Sequence, residues 1–428
     1  MILNKALRYL LYALLALILT AAVAAFLIVK LALAPGQDEW PTRIKAGPLT
    51  LEVGVPTAIR LATSSWFAPW IAGRTLDTGF GPMRFAWDEP TNTLEMDCAP
   101  CSAVVPALGP VPIRVDNLRI TARRDAGSLS GALEGTPGAL PAGAASGTTD
   151  KVLHARWNGR LSQKNLQLNI DAADAPITQW YAVLAPELPE LQRARIGGTL
   201  ALRAQVTLPA GTFAMQPRIS QFTVEGLGTE AMLGARSSCG APSRLASDSW
   251  LARAVIAAED QRFFTHPGYD LTELTASMEG NQKAEQAERG GSTLTQQLAK
   301  LLVTGSERSA ARKLRELLYA VEMEQTLGKA RILQLYLDNA PWGPALCGAE
   351  PAARRYFKRS ARNLEPAQAV WLAAMLHNPG AALEKWQQSG QIDAARAKWV
   401  AEGIRGITHG QREALLRGVA NAHFAPPP

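Results

Sequence analysis

An α+β multidomain protein is predicted by three features of the 428-residue sequence. The first is an uncharged, mostly apolar run from Tyr9 to Val29. The second is period-two alternation of apolar residues in strand-length pieces between residues 40 and 233, and the third is helical spacing of apolar residues beyond residue 248. Together they divide the chain into a cytoplasmic N-terminus with a transmembrane helix, 1–34, a β-rich domain, 35–235, a mostly α domain, 236–384, and a helical tail, 385–428.

The N-terminal run has about the 20-residue length an apolar helix needs to cross a bilayer. Lys5 and Arg8 precede it, whereas Lys30 is soon followed by Asp38 and Glu39. The positive-inside rule then places the N-terminus in the cytoplasm and the rest of the chain on the far side of the membrane, as a single-pass protein. Ala32-Leu33-Ala34 also reads as a signal-peptide cleavage site, but the apolar run is long for a signal and Pro35 would follow the cut, which favours anchoring. A net charge of +7 favours anionic partners such as phosphates or a membrane surface. Zinc-finger spacing, an aromatic RNA-binding signature and a lysine-rich tail are all missing from the sequence, so nucleic acid is not the expected partner.

Four cysteines fit an oxidising compartment. Cys98 and Cys101 form a CAPC motif, readable as a local disulfide, a redox pair or half of a metal site, and no second pair completes a zinc set. Cys239 and Cys347 could form a staple, with the connectivity left open. No dedicated metal site is expected.

In the β-rich part, Val111, Ile113 and Val115 alternate with polar residues, as do Leu166, Leu168 and Ile170, and again Leu200, Leu202, Ala204 and Val206. Gly135 to Asp150 reads as a loop, Ile177 to Leu184 as a short helix, and no residue cluster here points to catalysis. Beyond the polar connector Gly234 to Ser247, Leu314, Leu317, Leu318 and Val321 keep helical spacing, as do Ile332, Leu333, Tyr336 and Leu337.

Chemistry is concentrated in this last part. At 100° per residue, Leu251, Ala254, Val255, Ala258 and Glu259 share one arc, while Asp260 falls opposite, beside Arg253, toward water. A carboxylate on an apolar face has a raised pKa and suits a general base near neutrality. RGGSTLTQQLAKLL, from Arg289 to Leu302, places glycines and hydroxyls before a helix carrying Gln296 and Lys300, a pattern suited to an anion. Arg308, Arg312 and Glu316 recur every four residues, with Arg315 beside them. Arginines crowded on one face expect an external anion, for which a diphosphate is suitable.

With these motifs in place, residues 250 to 380 closely resemble the peptidoglycan glycosyltransferases of glycosyltransferase family 51. The family's EDxxFxxHxGxD motif is met by Glu259, Asp260, Phe263, His266, Gly268 and Asp270. GGSTxTQQxxK is met by Gly290, Gly291, Ser292, Thr293, Thr295, Gln296, Gln297 and Lys300, and RKxxE by Arg312, Lys313 and Glu316. The fourth motif, usually ILExYLN, has Gln334 and Asp338 in place of Glu and Asn, and the fifth, GxxAAxxYFGK, has Lys358 and Arg359 in place of Gly and Lys.

The resemblance implies a lysozyme-like glycosyltransferase domain that polymerises lipid II into β-1,4-linked glycan strands and releases undecaprenyl diphosphate. It implies Glu259 as the base, Glu316 as the second essential acid, and Lys300, Arg308, Arg312 and Lys313 as the diphosphate-binding cations. Asp260, Phe263, His266, Gly290, Gly291, Ser292, Thr293, Gln296 and Gln297 support the site. No tightly bound cofactor is implied; a divalent cation, magnesium or manganese, could accompany the substrate diphosphate. Expected partners are lipid II, the growing glycan strand, the bacterial inner membrane and, through the β-rich domain, other cell-wall synthesis proteins, with the catalytic domain in the periplasm. The SxxK, SxN and KTG set of a penicillin-binding transpeptidase is not found. The rival readings are a lysozyme-like enzyme that cuts glycan and an impaired envelope scaffold working through its β-rich domain.

Overall fold

The computed structural model describes residues 34–36, 38–46, 49–104, 112–136, 152–283, 290–307 and 309–426, with 12, 14–21, 23, 24 and 27 near the N-terminus. The expected span from Tyr9 to Val29 lies largely outside the described residues. Those described in it are helical, and Leu14, Leu17, Ile18 and Leu19 expose their side chains. Among the described residues, no helix is long and apolar enough to cross a membrane. Val111 and most of the expected loop Gly135 to Asp150 also fall outside the described residues.

Strands β1 (Pro41–Ala46) and β2 (Leu49–Gly54) form an antiparallel pair, followed by helices α1 (Val55–Ala62) and α2 (Ala68–Ile71). Next come β3 (Thr75–Thr78), β4 (Gly81–Asp88), β5 (Thr93–Cys98), the hairpin β6 (Cys101–Ala103) with β7 (Ile113–Val115), then β8 (Asn117–Asp125), β9 (Ser128–Thr136), β10 (Leu153–Leu161) and β11 (Leu166–Pro176). Helix α3 (Ile177–Leu184) and the 3-10 turn Pro189–Gln192 lead into the long hairpin β12 (Arg195–Leu208) and β13 (Thr212–Glu225). Among the described residues, nine strands make one antiparallel sheet in the order β13-β12-β11-β10-β9-β8-β5-β4-β3. The expected alternation is plain in β11, where Leu166, Leu168 and Ile170 are turned in and Gln167, Asn169 and Asp171 are exposed. Cys98 and Cys101 are disulfide-bonded across the turn between β5 and β6.

The second region is helical: α4 (Trp250–Glu259), α5 (Leu271–Lys283), α6 (Leu294–Ala299), α7 (Ala310–Thr326), α8 (Gly328–Asn339), α9 (Ala349–Phe357), α10 (Pro366–Met375), α11 (Pro379–Ser389), α12 (Ala394–Gly403) and α13 (His409–Ala420), with the small hairpin β14 (Pro341–Gly343) and β15 (Leu346–Cys347) between α8 and α9. Helix α4 is capped by Ser249, whose hydroxyl accepts from the Ala252 N–H, and it buries Leu251, Ala252, Ala254, Val255, Ala257 and Ala258. These small side chains let α4 lie close against α10, itself buried at Ala369, Val370, Leu372 and Ala373. Two fully buried indoles keep their donors satisfied, Trp342 on the Leu372 carbonyl at 3.1 Å and Trp386 on the Phe424 carbonyl at 2.9 Å.

The hydrophobic core does not respect the boundaries drawn from the sequence. Ile177, Tyr181, Leu188, Phe222 and Val224 of the β-rich part belong to the same buried cluster as α4, α7, α8 and α10. The sequence boundary 384/385 falls inside α11, and α12 and α13 bury Val400, Ala401 and Leu415 in that same cluster. Burial decides this: the apolar ends of the β12–β13 hairpin and of α3 pack into the helical core, and the tail helices help to close it. The connector is fixed as well. Cys239 is disulfide-bonded to Cys347, and the Ser243 N–H and hydroxyl both donate to Asp338 at 2.8 Å.

Candidate active site

Glu259 is the last residue of α4, and its side chain is 11% exposed. One carboxylate oxygen accepts from the Gln297 amide at 3.1 Å, and the other lies 3.3 Å from the Arg396 guanidinium. Burial raises the carboxyl pKa above its ordinary value, and Gln297 and then Arg396 oppose the rise. The Tyr336 hydroxyl, kept protonated chiefly by burial, donates to the Gln297 amide oxygen at 2.9 Å. That bond fixes the amide so that its NH2 faces Glu259, and the carboxylate is oriented by a chain of side chains from α8 through α6.

Asp260 does not face water as the helical projection predicts; it is buried. The reason is local: α4 ends at Glu259, and Asp260 leaves it with φ −161° and ψ 76°, so the 100° rule no longer applies. Its carboxylate accepts from His266 Nε2 at 2.9 Å and from the Leu294 N–H at the start of α6 at 2.9 Å. Because His266 Nδ1 accepts from the Gly268 N–H at 3.2 Å, the ring proton sits on Nε2, the nitrogen that donates to Asp260. The acid is therefore the internal anion of the α6 N-terminus, a role the sequence pattern had left for a ligand.

The remaining first-motif residues hold the turn. Phe263 is fully buried under the Lys329 ammonium, 4.5 Å from the ring centroid. Asp270 caps α5 through the Thr272 and Glu273 N–H groups at 3.0 and 3.1 Å and pairs with Arg262 at 2.9 Å. Gly268 adopts φ +93°, and a Cβ there would meet the Ala320 carbonyl oxygen at 2.8 Å, so the HPG turn accepts no side chain.

In the second motif, Thr293 and Gln296 form a reciprocal capping box on α6 and are buried, so both side chains support the motif from within. Gly290 is exposed, while Gly291 packs so close that a Cβ would lie 2.5 Å from the Ser277 hydroxyl. Ser292 accepts a hydrogen bond from the Lys313 ammonium. Gln297 of the same short segment bonds Glu259, so Ser292 to Gln297 links the Glu259 carboxylate to the Lys313 ammonium.

The third motif lies on α7, capped by Ser309, whose hydroxyl accepts from the Arg312 N–H at 3.0 Å. Glu316 is 2% exposed; one oxygen pairs with Arg312, and the other lies 3.4 Å from Lys313. Burial, then Arg312 and then Lys300, push the Lys313 amine down to about 8. Lys300 is exposed where α6 passes into a π-helical turn, and Arg308 falls outside the described residues. Arg315 does not join the cations: it turns to Glu190 of the β-rich part at 2.8 Å. Among the described residues, no group of three or more His, Cys, Asp or Glu side chains is placed to hold a metal ion.

Arg396 is the residue that sequence reasoning missed. It sits on α12 in the segment read from the sequence only as a helical tail, donates to the Ala258 carbonyl at 2.9 Å as well as approaching Glu259, and stacks on Trp399 at 4.7 Å. An arginine among alanines on a short helix carries no signal of such a role. Tyr336, by contrast, stood inside the fourth motif, where its hydroxyl could have been read as a buried donor.

Comparison with known proteins adds an independent line. The family model for transglycosylases matches residues 243–405. Curated proteins described as biosynthetic peptidoglycan transglycosylase match the same part: 46% identity over 129 residues in Thiobacillus denitrificans, 42% over 151 in Alcanivorax borkumensis and 47% over 131 in Nitrosomonas europaea. These matches take in 30%, 35% and 31% of this chain and 56%, 61% and 54% of the relatives, so the chain spans somewhat over half the length of the curated relatives it matches. Residues 243–405, which match the transglycosylase family model, contain Glu259, Lys313 and Arg396.

Proposed function

We propose that this protein is a peptidoglycan glycosyltransferase that polymerises lipid II. The observation that carries the reading is the short segment from Ser292 to Gln297, which touches a half-buried carboxylate at one end and a half-buried, anion-ready lysine at the other. In this reading Glu259 accepts the proton of the acceptor sugar's 4-hydroxyl as that oxygen attacks the anomeric carbon of the lipid-linked donor. The bond from that carbon to the diphosphate oxygen breaks, the configuration inverts, undecaprenyl diphosphate leaves with the electron pair, and the proton on Glu259 passes to water.

Charge grows on the diphosphate as the bond breaks, so fixed cations stabilise the transition state more than the bound substrate. Lys313 and Arg312 are held ready by Glu316, with Lys300 nearby and Arg308 assigned to the same group from the sequence. A divalent cation would arrive on the diphosphate itself, because both oxygens of Glu316 already face Arg312 and Lys313. The apolar run Tyr9 to Val29 supports anchoring in the inner membrane, N-terminus in the cytoplasm, where a lipid-linked substrate is met. The β-rich domain would be the part that meets other cell-wall proteins.

The full-length protein with labelled lipid II, run beside intact sacculi, tests the reading. It predicts new glycan strands from lipid II, blocked by a phosphoglycolipid inhibitor such as moenomycin. Fragments released from sacculi with no strands made from lipid II would replace it with the lytic alternative.

A further inference from the structure

The RKLRE sequence at 312–316 puts three cations and one acid within five positions of α7. Glu316 serves two of them, Arg312 and Lys313, one with each oxygen. Arg315 stands three residues from Arg312, a spacing at which like charges on a helix repel. Its counter-charge comes from outside the transglycosylase match: Glu190, 1% exposed on the 3-10 turn Pro189–Gln192, accepts from Arg315 Nε at 2.8 Å. The contact does not stand alone. The Tyr319 hydroxyl lies 3.3 Å from the same Glu190 oxygen and accepts from Arg193 at 2.8 Å, and the Tyr181 hydroxyl of α3 donates to the Leu314 carbonyl at 3.0 Å. Ala310, the first residue of α7, is buried in a cluster with Cys98, Cys101, Ile113, Val115 and Val183 of the β-rich part. One flank of α7 therefore rests on the β-rich domain over the very turns that carry Arg312 and Lys313.

We propose that Glu190 is a positioning residue: from the β-rich domain it supplies the second counter-charge of the cation helix, and thereby sets Arg312 and Lys313 over the donor's diphosphate. The β-rich domain is then a working part of the catalytic unit, not a spacer. This rests on the glycosyltransferase reading, because it assigns a task to the cations of that reaction. Loss of Glu190 leaves Arg315 unpaired beside Arg312 and adds positive potential around Lys313, whose charged neighbours are Arg312 and Glu316 on its own helix and Lys300 at the end of α6, with the Ser292 hydroxyl before that helix.

The experiment compares the full-length protein with Glu190→Gln and with Glu190→Gln/Arg315→Met. Lipid II polymerisation is measured well below the melting temperature of each variant, and the Lys313 amine is titrated by its pH-dependent rate of acylation, followed by mass spectrometry. Glu190→Gln is expected to lower kcat about tenfold with KM little changed, the pattern of an interaction used in the transition state. It should also move the Lys313 titration to lower pH. Removing the Arg315 charge as well should return both toward the parent. A fall in Tm alone, with kcat, KM and the Lys313 titration unchanged, would reduce Glu190 to an ordinary structural contact and overturn the proposal. If the parent protein makes no glycan, the glycosyltransferase reading fails, while the Lys313 titration still decides whether Glu190 sets the field on that helix.

Discussion

The two sides of the candidate active site are each held against their natural charge, in opposite directions. Burial pushes the Glu259 carboxyl up toward its neutral form, and burial with Arg312 and Lys300 pushes the Lys313 amine down to about 8. The linked signs follow. Stability associated with protonated Glu259 is present below the ordinary carboxylate pKa and is lost as pH rises through the raised value. Stability associated with neutral Lys313 is present above its ordinary value of 10.5 and is lost as pH falls through about 8. The fold therefore opposes the charged form of both groups. Burial separates the site from the ion pairs of the sheet, such as Arg195 with Glu225, where both partners are well exposed.

The comparison breaks most sharply at Lys313. Lys313→Met should lower kcat for lipid II about a thousandfold, the order found when one donor to a developing anion is removed. Its Tm should equal or exceed that of the parent; a clear drop in Tm by calorimetry would mean that the ammonium stabilises the fold. A change remote from both charges comes next. Replacing Cys239 and Cys347 together by serine opens a closure of 108 residues and should cost about 3 kcal/mol of stability. Denaturant titration should show that loss with the pH profile of the remaining activity unmoved, whereas a moved profile would tie the staple to the site.

A smaller effect sharpens the Glu259 side. Arg396→Gln removes a cation that favours the carboxylate, so the acidic limb of kcat/KM should move to higher pH and the rate near neutrality fall about tenfold. In the parent the same profile should be bell-shaped, rising through the raised carboxyl and falling above about 8 as Lys313 loses its proton. An acidic limb indifferent to Arg396 would assign that limb to another group. The smallest change is expected at the altered fourth motif, where Gln334 accepts from Arg331 at 3.1 Å. Gln334→Glu adds a partly solvated ion pair worth about 0.5 kcal/mol at most, so thermal shift and kcat should both stay near the parent's.

Much of the site was legible in the sequence because it is written in short, local patterns. The apolar arc of α4 ends at Glu259 as its spacing predicts, and Thr293 followed three residues later by Gln296 is a capping box readable without coordinates. Asp260 was misread because periodicity holds only while the helix lasts, and one residue past its end the backbone turned the carboxylate inward. The strands Leu166–Pro176 and Arg195–Leu208 were likewise visible from alternation, and α3 was found at its observed ends. What stayed hidden are the contacts made at long sequence separation. Arg396 reaches Glu259 across 137 positions and Glu190 reaches Arg315 across 125, and no local pattern encodes either. For the same reason one hydrophobic core was read as three segments: the apolar ends of β12 and β13 show that they are buried, but not against what.

The most direct measurement of the central claim is the rate at which full-length Glu259→Gln converts labelled lipid II into glycan strands, taken beside its lipid II binding and its Tm. The account predicts a loss of about 10³-fold or more in kcat, with binding kept and Tm no lower than the parent's, because the amide keeps the shape of the base without its proton affinity. Strands made by that variant at the parent's rate would contradict the assignment of Glu259 as the base.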